Sequence, residues 1–149
     1  MFKIKTLLFL LISNSFFSQS NLDPIFFIGP MIHYNMGAEE NKFSYALEGS
    51  AWIVNQNFPI PPSIDFGVEF ERKKVRVYSE LQTGALLGLS IGPVVEFLDA
   101  KPSFGFQTSI WASLLLGADF RYRRINKTNF YSPGLFFKFP ILMDNFKLG

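Results

Sequence analysis

The 149-residue chain contains no cysteine and a single histidine, His33. Disulfides, thiolate catalysis and cysteine-ligated metal are therefore excluded. One imidazole among dispersed acids does not make a metal site, which needs clustered ligands with supporting partners. No metal or other cofactor is expected. Helix formers are sparse, and no low-complexity stretch or linker divides the chain. The glycines fall at strand spacing, so no phosphate-cradling loop is present. No apolar run approaches the roughly 20 residues that a spanning helix needs.

What the chain does have is phenylalanine, 19 of them, within a 17% aromatic fraction. It also has a distinctive start, "MFKIKTLLFLLISNSFFSQS". Lys3 and Lys5 precede the apolar run Leu7 to Ile12, and small polar residues follow. That order of regions predicts a cleaved secretory signal over residues 1–20, with residues 21–149 as one mature domain. No cysteine follows it, so it is not a lipoprotein signal. Its removal takes away two of the 14 basic residues and no acid, leaving 12 against 12. The mature chain is formally neutral, which gives no argument for nucleic acid as a partner.

The mature sequence alternates. In "SIDFGVEFERKKVRVYSELQ", Ile64, Phe66, Val68 and Phe70 alternate with Asp65, Gly67, Glu69 and Glu71. After a basic break, Val75, Val77 and Leu81 alternate with Arg76, Tyr78, Glu80 and Gln82. Period two on both sides of a short polar break is a β-hairpin signal. The pattern recurs along the chain and predicts eight strands of about 9 to 13 residues. Short connections join them near 37–42, 72–74, 98–102 and 124–128, with a longer proline-containing one at 55–62.

Alternation alone leaves the inside undecided, because soluble and membrane barrels turn opposite faces to the core. The composition of the faces separates them. One face is bulky Phe, Leu, Ile and Val. The other is mostly Gly, Ser and Ala with charges of both signs: Glu48, Asp65, Glu69, Arg76, Glu80, Glu96, Asp119, Arg121, Arg123 and Lys138. An eight-stranded lumen is only wide enough for side chains to fill it, so small residues belong inside. The bulky face would overfill such a core but has no volume limit against lipid. Strands of this length fit a transmembrane barrel. The expected fold is an eight-stranded antiparallel up-and-down transmembrane β-barrel with a packed polar lumen. A soluble lipid-binding barrel of lipocalin type is the alternative. Trp52, Trp111 and Phe136 are expected inside, closing any pore.

The last strand, "SPGLFFKF", carries Ser132, Gly134, Phe137 and Phe139. It resembles the C-terminal assembly signal of bacterial outer-membrane proteins, a polar residue, a glycine and two alternating hydrophobics. The whole mature chain resembles the small eight-stranded outer-membrane barrels typified by the OmpA transmembrane domain and OmpX, and its Phe-rich character looks like a Bacteroidota member. It departs from the family in continuing through "PILMDNFKLG" rather than ending on an aromatic. The resemblance implies the outer membrane, contact with its lipids, and handling by the barrel-assembly machinery.

No catalytic residue is expected. Some small outer-membrane barrels are lipid A deacylases with a His, one residue, then a Ser nucleophile and an Asn. "IHYNMG" supplies His33 and Asn35 but no Ser between them, and a Ser–His pair must be within hydrogen-bond reach. His33 reads more simply as a hydrogen-bonding lumen residue. Glu69, Glu71 and Glu80 read as ion-pair partners of the arginines rather than acid–base groups. A structural or interaction role follows, with accessory membership of a larger outer-membrane complex among its forms. A lipid-acting enzyme is the alternative. Pro30, Pro93 and Pro133 project outward, marking either bulges or positions that a protein partner covers. "IGP" occurs at 28–30 and again at 91–93, which reads as a trace of duplication.

Overall fold

The structure is a computed structural model, described here over residues 24–37, 42–53, 60–113 and 115–141. The expected signal (1–20), the turn acids Glu39 and Glu40, and residues 142–149 lie outside the described residues. Among the described residues there are nine strands: β1 (Pro24–Asn35), β2 (Lys42–Ile53), β3 (Pro62–Glu71), β4 (Lys74–Gly84), β5 (Leu87–Leu98), β6 (Lys101–Ala112), β7 (Leu116–Ile125), β8 (Thr128–Phe137) and β9 (Phe139–Ile141).

Each strand from β1 to β7 pairs antiparallel with the next, and β1 also pairs with both halves of the β8–β9 stave. The sheet therefore closes as an eight-staved barrel and leaves no open edge. β8 and β9 are two halves of one stave, separated at Lys138. They share one register against β1: Met31 lies opposite Phe136 and Ile28 opposite Phe139. The tail thus extends the last stave through Ile141.

Tight turns join the staves at one end. Asp99–Ala100 and Asn126–Lys127 both have positive φ at both positions (49° and 62°, 48° and 68°). That is the type I′ pattern whose twist matches a hairpin.

The three outward prolines have a common explanation. Each has an intact pairing on one side: Pro30 with Leu47, Pro93 with Phe106, and Pro133 with Phe120. On the other side the ladder skips. The β4–β5 register runs from Tyr78 opposite Val94 straight to Leu81 opposite Ile91. The β1–β8 and β1–β9 pairings likewise omit Gly29 and Pro30, and the β1–β8 pairing ends at His33 opposite Gly134, one step before Tyr34 and Pro133. A proline has no N–H to give, so one rung is lost while the register continues. These are gaps within the closed sheet, neither register-shifting bulges nor evidence of a covering partner.

The repeated "IGP" is the same device used twice. The carbonyl oxygen of Phe137, facing Pro30, leans over Gly29; that of Ser79, facing Pro93, leans over Gly92. A Cβ at either glycine would overlap the carbonyl. The motif thus has a local steric reason to recur, independent of descent.

Candidate functional site

Closure turns one residue in two of every strand inward, and the barrel is inverted relative to a soluble core. Outside stand Phe104, Leu81 and Tyr45, with 72%, 66% and 64% of their surface exposed. Inside, Asp65, Glu69, Arg76, Glu80 and Arg123 are almost completely buried.

Glycines make room for the largest inward rings. Tyr78 lies directly across from Gly67, Trp111 from Gly88, Phe136 from Gly117, and His33 from Gly134. In each pair the ring occupies the space a Cβ on the glycine would need. Trp52 and Trp111 meet edge to face at 5.8 Å and pack with Met31, Ala46 and Phe136 near one end. Val94, Ile125, Phe130 and Tyr78 form a second apolar cluster.

The ten charged residues anticipated for the lumen all face inward, and contacts link them into one network. In one half, Lys138 Nζ lies 3.5 Å from Asp65 and 2.6 Å from Glu48. Glu48 reaches Arg121 at 2.6 Å, and Arg121 reaches Asp119 at 2.7 Å and Glu80 at 3.8 Å. In the other half, Arg76 holds Glu69 at 2.7 Å, Glu71 at 2.9 Å and Glu96 at 2.8 Å. Arg123 makes a short contact with the far side of Glu69. His33 lies between the halves: Nε2 is 3.0 Å from Asp119, while Nδ1, 3.7 Å from Glu69, makes no hydrogen bond.

Neutral side chains complete the shell. Tyr78 donates to Glu48 at 2.7 Å, Ser90 to Glu80 at 2.8 Å, and Arg123 Nε to Gln107 at 2.8 Å. The Asn35 amide donates to Ser44 and Glu71, both at 3.0 Å, and its oxygen accepts from Ser132 at 2.6 Å. Asn35, Tyr78 and Gln107 had a readable signal, namely the same inward parity as the charges beside them.

A cavity of about 20 Å³ beside Trp52, Trp111 and Phe136 has room for about one water. A wider cleft of about 610 Å³ opens at the hairpin end, lined in part by Arg72, Lys73, Lys74 and Phe130. Among the described residues, no group of three or more His, Asp or Glu is arranged to hold a metal ion.

Of the four assembly-signal residues, Ser132 is buried and Gly134 lies against His33. Phe137 and Phe139 point outward on either side of the break at Lys138, their rings 4.2 Å apart and edge to face.

No family model matches the chain. No curated protein matches it. Among solved structures it is similar to the Neisserial surface protein A, NspA, at 11% identity and a TM-score of 0.44, covering 78% of this chain and 97% of that one. It is also similar to Ail, the attachment invasion locus protein of Yersinia pestis, at 10% identity and a TM-score of 0.35, covering 80% of this chain and 100% of that one.

Proposed function

We propose that the protein is a sealed outer-membrane barrel with a structural or interaction role, acting as a small subunit beside a larger outer-membrane complex. The inversion of the barrel carries this reading. Exposing a large apolar side chain to water forgoes about 1.5–3 kcal/mol of burial, and this wall exposes such side chains on every stave. Lipid removes that penalty, and a closed barrel satisfies the backbone in the bilayer.

The lumen favours support over transport or catalysis. Among the described residues, ion pairs and rings occupy it, which supports a barrel closed to solute. The His33 nitrogens face two carboxylates, not the hydroxyl that a lipid-hydrolysing Ser–His pair requires. Short hairpins leave the wall as the main surface for a protein partner. In this reading the end at which β1 starts and β9 stops faces the periplasm, and Ser132, Gly134, Phe137 and Phe139 serve the assembly machinery.

Two expected results follow. Reconstituted into liposomes, the mature chain should float with the lipid and leave a trapped small dye inside. A protein that stays soluble and monomeric without detergent overturns the membrane reading, and dye loss overturns the sealed lumen. Purified from native membranes in mild detergent, it should bring a stoichiometric partner; a lone barrel argues against the subunit role.

A further inference from the structure

The two ends of the barrel differ in a way that the wall alone does not require. The hairpin end has charged tips: Arg72 and Lys73 in one turn, Asp99 and Lys101 around the next, Arg124 and Lys127 around the third. At the opposite end, the β4–β5 and β6–β7 connections read "GALLG" and "ASLLLG". Leu86 and Leu87 are 73% and 71% exposed there, and Leu116 is 68% exposed. Ile25, Ile60, Phe139 and Ile141 complete the same rim, all exposed. Among the described residues, this end presents no charged side chain outward; its one charge, Lys138, turns into the lumen toward Glu48 and Asp65.

The backbone of these turns is also closed on itself. Ser113 N–H donates to the Leu86 carbonyl at 2.7 Å, tying one turn to the other. Lys138 N–H donates to the Leu115 carbonyl at 2.7 Å, and Ala85 N–H to the Leu87 carbonyl at 3.2 Å. Backbone donors satisfied in this way can enter hydrocarbon, where nothing else would satisfy them.

We infer that the Leu86 and Leu115 turns at this end lie within the bilayer, in contact with lipid hydrocarbon rather than with water. The occupant is lipid because the leucines continue the apolar wall. Leu81, Leu89, Ile91 and Ile110 lead into Leu86, Leu87 and Leu116, with Thr83 an uncharged outward side chain between Leu81 and Leu86. The apolar band is then off-centre, reaching one tip of the barrel and stopping short of the charged one. This inference rests on the membrane reading of the wall.

The absence of native cysteine makes the test direct, since each introduced thiol reports alone. Single variants L86C, L116C, K73C, K127C and, on the wall, I91C would be placed in lipid nanodiscs, which leave both membrane faces open to reagent. They would then react with a charged maleimide, with rates normalised to the same variant unfolded in denaturant. L86C and L116C should react at least tenfold more slowly than K73C and K127C, as slowly as I91C. If the turn thiols react as fast as K127C while I91C stays shielded, the turns lie in water and the inference falls, with the membrane reading intact. If I91C also reacts fast, the membrane reading itself falls. Turn thiols shielded in native membranes but reactive in nanodiscs would mean that a protein covers them, which also overturns lipid as the occupant.

Discussion

Arg76→Ala should destabilise the detergent-solubilised barrel by about 3–5 kcal/mol, as expected when one partner of a buried ion pair is removed. Arg76 is 1% exposed and its guanidinium contacts Glu69, Glu71 and Glu96. Removing it leaves Glu96 with Lys74 at 3.9 Å, Glu69 with Arg123, and Glu71 with the Asn35 amide. The ring of Phe130 loses one of its two cations, the guanidinium at 5.7 Å, and keeps Lys74 at 5.8 Å. Lys73→Ala, three residues away on an exposed turn, should change stability by less than about 0.5 kcal/mol. Arg76→Lys should fall between the two, since an ammonium keeps the charge but cannot span three carboxylates with a planar fork. Denaturant titration in one detergent measures all three. Equal and negligible effects of Arg76→Ala and Lys73→Ala would mean that the network does not hold the lumen together.

Parity made most of this legible. Once Ile64, Phe66, Val68 and Phe70 share a face, Asp65 and Glu69 must share the other, and the same logic places Arg121, Arg123 and Lys138. Face composition then gives the sense of the barrel, because small residues fit a narrow lumen and bulky ones do not. Register was not legible. That Gly67 stands under Tyr78 and Gly88 under Trp111 depends on which residues are opposite, and strand boundaries read from alternation are uncertain by a few residues. The register of the closing strand pair was also hidden. His33 lies between the two halves of the network because β1 lies beside β8 with Gly134 opposite the imidazole. Nothing local to "IHYNMG" reveals that. The bulge reading of the prolines failed for a related reason. Outward projection is readable from parity, but whether the lost rung is absorbed as a gap depends on the neighbouring strand's carbonyl.

That absorbed gap gives the second large effect. Gly92→Ala should destabilise the barrel by about 1–3 kcal/mol, the usual range for overpacking a tight site. The new methyl would meet the Ser79 carbonyl and the Glu80 Cα, which are backbone and cannot rotate away. The Ser79 carbonyl leans over Gly92 because Pro93 offers it no N–H. Pro93→Ala restores that donor, so the carbonyl can return to the ladder and vacate the space above residue 92. The double variant Gly92→Ala/Pro93→Ala should therefore be more stable than the sum of the single effects predicts, with a coupling of about 1 kcal/mol or more, within the range for contacting residues. The control lies in the same strand. Gly88 faces the Trp111 side chain instead of a carbonyl, so Pro93→Ala should give Gly88→Ala no rescue. Strict additivity at residues 92 and 93, measured by unfolding all four members of the cycle in one detergent, would show that the missing proline N–H does not set the carbonyl's position.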